Sequence, residues 1–220
     1  SYIKNIFVQP AASDNGVSLG AAQLLTLKKG GKLKTKLTNV YYGPKYSNKE
    51  ILSYLKESKL KFYKSKNIFK EGAKLIYKKK IISWFQGRME FGARSLGNRS
   101  ILASPLYKDM RDKINLDVKH RENWRPFCPS ILEEDYKKYI ASNTKSYFMT
   151  IALPVNKKIK KFIPSCVHVD GTVRCQIVDK KNNYRYFRLI KEFKKLTGHG
   201  IIINTSFNIQ GEPVVCTPRD

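Results

Sequence analysis

No apolar run in this sequence is longer than a buried strand. The longest are of the kind Gly200-Ile201-Ile202-Ile203, far short of the roughly 18 apolar residues that a membrane span needs. A chain of 220 residues made of such short runs must bury them against one another, as one sizeable core or as one domain with part of a second. A hydrophobic content of 41% with 12% aromatic residues is that of a folded globular chain and argues against disorder. No membrane partner is expected.

Residues 5–8 read as a short buried strand, followed by an apolar helix over 17–27. The pattern then fails: residues 28–44 are basic and carry Gly30-Gly31 and Gly43-Pro44, the mark of a linker. The composition shift divides the chain into 1–27, a linker at 28–46, and a domain at 47–220. The sequence begins at Ser1 without Met and stops at Asp220, and is read as cut at both ends. Ser47 with Glu50 makes a capping box for a helix over 49–56. A second helix is expected over 67–78, with Ile68, Leu75 and Ile76 on its apolar side. Further along, strands are expected at 81–85, 147–153, 173–178 and 201–203. Helices are expected at 109–115, 133–140 and 184–196, the last stopped by Gly198, and Pro126 and Pro129 force an extended 125–129. Strands mixed irregularly with helices define an α+β or mixed α/β fold.

The formal charge is +26, from 43 basic and 17 acidic residues. One reading is a nucleic-acid partner; the other is a composition bias, since Lys, Ile, Asn and Tyr are over-used together. The lysines are spread along plain helix faces and read as solvated surface. Six of the ten arginines (Arg88, Arg94, Arg99, Arg111, Arg121 and Arg125) are clustered and read as a site. Four cysteines without a CxxC pair and three histidines exclude zinc of the usual spacing. Isolated thiols suit a reducing, cytoplasmic setting.

Four constellations carry chemistry. Gly87-Arg88-Met89-Glu90-Phe91-Gly92-Ala93-Arg94-Ser95-Leu96-Gly97-Asn98-Arg99-Ser100 follows a strand with interleaved glycines and arginines, which suits an oxyanion. It is neither of the common nucleotide loops. Lys119, Arg121 and Arg125 precede the proline-fixed segment. His168-Val169-Asp170-Gly171-Thr172 makes a tight hairpin turn, and His168, Arg174 and Gln176 can share a face of the flanking strands. Asn204-Thr205-Ser206-Phe207-Asn208 is a polar cluster at the end of an apolar strand, where ligands gather in sheet proteins. Many cations and amides with few carboxylates fit an anionic, phosphorylated substrate.

These segments, in this order, resemble the O-carbamoyltransferases of the nodulation-protein NodU type. The resemblance rests on Trp84 to Gly92, Leu96 to Ala103, Arg125-Pro126-Phe127, His168 to Thr172, and Asn204 to Asn208 with Gly211-Glu212-Pro213. This chain has Ala93, Ser95 and Ser104 where the family usually has Pro, Ala and Asp. The resemblance implies a domain like the YrdC-type threonylcarbamoyl-adenylate synthases, a twisted sheet with flanking helices. The tail of an ASKHA-like domain would precede it. It also implies that ATP and carbamoyl phosphate form carbamoyl-adenylate, that Mg2+ accompanies ATP, and that the carbamoyl group passes to a hydroxyl-bearing acceptor.

On that resemblance Arg94, Arg99, Arg125 and His168 are the catalytic candidates. Arg88, Asn98, Lys119, Arg121, Arg174, Gln176, Asn204, Thr205, Ser206 and Asn208 are the substrate- and nucleotide-binding candidates. Asp14 would be one ligand of an Fe2+ ion completed by histidines upstream. The alternatives are a basic RNA-binding module, a threonylcarbamoyl-adenylate synthase, and a non-catalytic remnant.

Overall fold

The computed structural model describes residues 6–33 and 37–220. Helix α1 (Asp14–Lys28) buries none of its residues: Val17, Leu24, Leu25 and Leu27 are all exposed. The strand expected over 5–8 does not form. Asn5 lies outside the described residues, 6–8 pair with no strand, and Ile6 and Phe7 are 62% and 66% exposed.

Helix α2 (Asn48–Glu57) begins at the capping box read from the sequence. Ser47 Oγ accepts from Glu50 N at 3.2 Å, and Glu50 Oε2 accepts from Ser47 N at 2.7 Å. Helix α3 (Ile68–Tyr77) is capped by Asn67, but its buried stripe is Gly72, Ala73 and Ile76. Ile68 and Leu75, expected on the apolar side, are exposed. Gly72 brings α3 close to Leu189 and Trp84, so the inward stripe follows the small residues.

Five strands form the main sheet: β1 (Ile82–Phe85), β2 (Arg99–Ala103), β3 (Cys128–Leu132), β6 (Gln176–Val178) and β7 (Ile201–Ser206). Their order is β1-β2-β7-β3-β6, antiparallel except for the parallel β3–β6 pair. Two two-residue strands, β4 (Leu153–Pro154) and β5 (Thr172–Val173), pair separately. The sheet is covered on both faces, so its strands read as unbroken apolar runs with alternate residues in different cores. Ile202, Leu102, Leu132 and Val178 pack under α3 and α6 (Tyr184–Thr197). Ile201, Ile203, Ala103, Ile131 and Ile177 pack on the other side with Met110, Ile114, Tyr136 and Tyr139. Burying each of the three isoleucines of β7 contributes about 1.5–3 kcal/mol.

Several expectations are corrected in detail. Residues 147–152 are not a strand, because Met149 adopts the left-handed region (φ 56°) and breaks the extension. The expected strand over 173–178 is two strands in two sheets, with Arg174 and Cys175 crossing between them. The expected helix at 109–115 is a short α4 (Met110–Lys113) continuing into a π-turn at Ile114–Val118. The expected helix at 133–140 is a 3-10 turn, Glu133–Asp135, followed by α5 (Tyr136–Tyr139). Strand β7 runs on through Asn204, Thr205 and Ser206, so the polar cluster is paired strand. Helix α6 ends, as expected, on a left-handed Gly198. The fold is mixed α/β, a mixed sheet with flanking helices. Among the described residues no helix is long and apolar enough to cross a membrane.

Candidate anion-binding site

The loop between β1 and β2 is built around one buried carboxylate. Glu90 Oε1 accepts from the backbone N–H of Leu96 at 2.6 Å, Asn98 at 2.8 Å and Arg99 at 3.4 Å. Burial nevertheless holds its carboxyl above the usual range, because desolvation exceeds what the donors return. Asn98 ties the loop's base. It accepts from Gln86 Nε2 at 2.7 Å and Asn183 Nδ2 at 3.0 Å, and donates to Arg88 O at 2.6 Å. Gly97 is left-handed (φ 102°), and a Cβ there would lie 2.3 Å from the Tyr186 ring, so only glycine fits. On the outer edge, Phe91 N donates to Val40 O at 2.7 Å and Met89 N to Pro44 O at 2.9 Å. Residues 40–44 of the basic 28–46 stretch thus form a wall of this loop.

Opposite, the π-turn widens the chain before Lys119, and His120 turns it in the left-handed region (φ 47°). Single π-turns of this kind are frequent at functional sites. Lys119 is 3% exposed. Its ammonium donates to Ser206 O at 2.5 Å, Ser206 Oγ at 3.2 Å, Asn208 O at 2.8 Å and Asn208 Oδ1 at 2.9 Å. Burial, with the charge of Arg121 added, pushes its pKa down to about 8. This cage fixes the end of β7.

Between these walls lies a cavity of about 130 Å³ whose lining includes Arg94, Ser95, Arg121, Arg174, Asn204, Thr205 and Ser206. Arg121 donates through Nε to Asn115 Oδ1 at 2.8 Å and lies over the Phe127 ring, 5.1 Å from its centre. Burial first, then the neighbouring Arg174, lowers the pKa of Arg94. None of the three guanidiniums forms an ion pair among the described residues. A guanidinium only donates and stays charged, so the cavity is an unneutralised cluster of forked donors, the arrangement that takes oxyanions bidentately. The volume is about four times the ~30 Å³ that one water occupies in the liquid and below the ~300 Å³ of a drug-sized pocket. It suits a phosphate-sized group.

Six of the residues singled out in the sequence therefore meet: Arg94, Arg121, Arg174, Asn204, Thr205 and Ser206. Lys119 and Asn208 stand beside them in the cage. Arg99, read as catalytic, is fully buried and held by backbone carbonyls, donating to Gln86 O at 2.8 Å, Asn98 O at 3.0 Å and Cys216 O at 3.3 Å. It also stacks on Phe85 at 3.6 Å, so its role here is structural. Arg125, also read as catalytic, does not line the cavity and is paired with Glu122 at 2.9 Å. Arg88 is exposed and donates to Gly43 O at 3.0 Å, binding the loop to its wall. Asn98 is the loop's internal tie.

His168 does not border the cavity, although the charge of Arg174 reaches it. Burial, then Arg174, lowers its pKa against the opposing Asp170. The Thr172 hydroxyl donates to Asp170 Oδ1 at 2.8 Å, so the 3.1 Å contact between His168 Nδ1 and Thr172 Oγ1 runs from Nδ1–H to oxygen. Nε2 then carries the lone pair, buried without a partner. Asp14 is exposed at the start of α1, and no group of three His, Cys, Asp or Glu side chains able to hold a metal occurs among the described residues. These residues do not by themselves fit an iron ion.

Gln176 forms a layer beneath the cavity. Its Nε2 donates to Leu96 O at 2.9 Å, which directs Oε1 to Ser130 Oγ at 2.8 Å and Asn204 Nδ2 at 3.2 Å. The sequence pattern assigned no role to Glu90 or Asn183, and marked Ser95 only as a departure from the family pattern. Glu90 carried a signal, as the one carboxylate inside a glycine-rich loop of free N–H groups. Asn183 offered only its capping position before α6, because its other partners lie 85, 97 and 142 residues away.

A mixed α/β domain whose central strand ends beside three guanidiniums without a carboxylate partner among the described residues carries a candidate anion-binding site. The family model described as "Carbamoyltransferase C-terminus" matches residues 73–220, and the chain belongs to that family. It is 42% identical to an uncharacterized protein of Methanocaldococcus jannaschii, covering 99% of this chain and 37% of that protein. It is 40% identical to nodulation protein NolO of Bradyrhizobium diazoefficiens, covering 98% and 41%, and 38% identical to nodulation protein NolNO of Sinorhizobium fredii, covering 99% and 33%. The chain thus spans about two fifths or less of the length of these relatives. Among solved structures, Sua5 of P. abyssi complexed with L-threonine aligns at 15% identity and a TM-score of 0.44, covering 66% of this chain and 40% of that one.

Proposed function

We propose that this chain is the carbamoyl-activating part of an ATP-dependent O-carbamoyltransferase, with the cavity at the end of β7 as its phosphate and carbamoyl site. The observation that carries the proposal is the convergence of Arg94, Arg121 and Arg174 there without a carboxylate partner. Carbamoyl phosphate is first hydrolysed to carbamate and phosphate. A carbamate oxygen then attacks the α-phosphorus of ATP, and pyrophosphate leaves as carbamoyl-adenylate forms. An acceptor hydroxyl finally takes the carbamoyl group and releases AMP.

Each of these reactants is an anion, so the barrier includes bringing like charges together. The three guanidiniums lower it by neutralising oxygens and holding them in line. Lys119 acts through Ser206 by fixing the strand end. The cavity has no carboxylate in its lining, so Mg2+ would arrive on the ATP phosphates, keeping much of its water. No step is assigned to iron.

The test is pyrophosphate release from ATP, with and without carbamoyl phosphate, for wild type and Arg94→Ala. The expected result is release that depends on carbamoyl phosphate and falls about 10²–10³-fold in the variant, the usual loss for one charge-stabilising donor. Absence of release, with calorimetry finding neither ligand bound, would sink the enzymatic reading in favour of a basic nucleic-acid-binding module.

A further inference from the structure

We infer that the Ser95 hydroxyl is a further ligand-binding group of the cavity, donating to an oxygen of the tetrahedral oxyanion that the guanidiniums hold. The inference rests on the function proposed above and deepens it, by adding a neutral donor to its phosphate site.

A hydroxyl on a buried serine nearly always has a partner, because a buried polar group left unbonded costs stability. Ser95 is only 8% exposed, and it lines the cavity. Its backbone is held in place from both sides. The Ser95 carbonyl accepts from Asn204 Nδ2 at 3.2 Å, and the next residue's N–H, Leu96 N, donates to Glu90 Oε1 at 2.6 Å. The hydroxyl, by contrast, has no hydrogen-bond partner among the described residues. It is also not one of the unpartnered side-chain atoms closed to solvent. The cavity that Ser95 lines is the space it opens to.

A ligand drawn into a cavity lined by Arg94, Arg121 and Arg174 is an acceptor, since guanidiniums only donate. A free hydroxyl beside such a ligand turns its proton toward it, and a hydroxyl proton rotates to suit where a guanidinium fork is rigid. The bond formed to an oxyanion is of the stronger, charge-assisted kind. Of the other lining hydroxyls, Ser206 is already engaged, receiving Lys119 at 3.2 Å and donating to Asn208 Oδ1 at 2.6 Å. Thr205 also has a hydroxyl without a partner among the described residues. It is only partly buried, so its free hydroxyl needs no explanation. It is the competing donor, and the experiment separates the two.

Calorimetric affinity for inorganic phosphate and urea unfolding would be measured on wild type, Ser95→Ala, Thr205→Val and Ser130→Ala. Ser130 is the comparison for a hydroxyl that holds structure, being buried and bonded to Gln176 Oε1 at 2.8 Å and Asn204 Nδ2 at 3.1 Å. Ser95→Ala is expected to weaken phosphate binding about ten- to a hundredfold, the loss of one hydrogen bond to a charged group. Its urea midpoint should stay at the wild-type value, because no bond within the protein is removed. Ser130→Ala should lower the midpoint. Unchanged phosphate affinity in Ser95→Ala, or a loss confined to Thr205→Val, overturns the inference while leaving the anion site intact. A midpoint that falls in Ser95→Ala as far as in Ser130→Ala also overturns it, because the hydroxyl would then hold the loop. If wild type binds no phosphate at all, the functional reading beneath it falls as well.

Discussion

Glu90→Ala and Glu90→Gln are expected to behave very differently, although both remove the same charge. Glu90 Oε1 accepts from Leu96 N at 2.6 Å and Asn98 N at 2.8 Å, with Arg99 N at a longer 3.4 Å. A hydrogen bond to a charged group contributes about 1.5–3 kcal/mol, and a buried donor left alone costs about 1–3 kcal/mol. With the two short bonds counted and the long one given little weight, Glu90→Ala costs about 3–5 kcal/mol. Whole domains are stable by only about 5–15 kcal/mol. Glutamine keeps an acceptor at Oε1. Glu90 Oε2 is not among the buried unpartnered atoms, so the amide nitrogen that replaces it strands no donor. Burial disfavours the charge of Glu90 more than the backbone donors favour it, so the neutral amide also removes a desolvation cost. Glu90→Gln should stay within about 1 kcal/mol of wild type.

Urea unfolding of all three proteins, across about pH 4 to 8, is the assay. With a slope of about 1–3 kcal/mol per molar urea, the alanine midpoint should fall by about 1 M or more. The pH dependence gives a second reading. A carboxyl whose folded pKa is raised contributes stability that is present below its unfolded value and lost as pH rises through the folded value. Wild type should show that loss, and the glutamine variant should lack it. Equal destabilisation in both variants would refute the reasoning, because the charge and not the acceptor geometry would then hold the loop. An alanine variant within 1 kcal/mol of wild type would show that Glu90 does not organise the loop at all.

Arg125 and Arg174 should separate cleanly in phosphate binding. Arg125→Ala removes an exposed pair with Glu122 at 2.9 Å, so stability should move by less than about 1 kcal/mol and phosphate affinity hardly at all. Arg174→Ala removes one of the cavity's three free guanidiniums and should cost about tenfold or more in phosphate affinity by calorimetry. Lys119, with its pKa near 8, should make phosphate affinity fall as pH rises through that value, and Lys119→Arg should flatten the profile. Because this pKa is depressed from 10.5, the folded state releases the proton before the unfolded one does. Its titration therefore adds to folding stability as pH rises from about 8 toward 10.5.

Much of the local structure was legible because its cause is local. The Ser47–Glu50 box, the Gly198 stop, the Asp170-Gly171 turn and the isoleucines of β7 each act through neighbours a few residues away. The misreadings arose where a distant partner decided. Leu75 looked inward by periodicity, but α3 turns its Gly72 and Ala73 side to Leu189. The apolar 147–153 segment looked like a strand until the backbone at Met149 turned left-handed. The candidate site shows the same division. Motif spacing brought out Arg94, Arg121 and the Asn204–Ser206 end. It had no means of telling them from Arg99, whose burial under carbonyls depends on Gln86, Pro44 and Cys216 at once.

The distinction among the arginines turns on whether each guanidinium already has acceptors. Arg99 offers its donors to main-chain oxygens and an aromatic face, and a phosphate could reach it only by breaking that shell. Arg125 has a carboxylate of its own and bulk water beside it. Arg94, itself exposed, and Arg174 have no acceptor among the described residues, and Arg121 has one amide oxygen for its Nε alone. The +26 formal charge does not separate these cases. Some of it is answered locally, as where Lys191 and Lys194 meet Glu134 and Asp135 at 2.6–3.0 Å. The rest raises the background potential and hastens the arrival of any anion. On the function proposed above, retention depends on donors at the strand end that no carboxylate answers. Arg94, Arg121 and Arg174 are the residues that offer them.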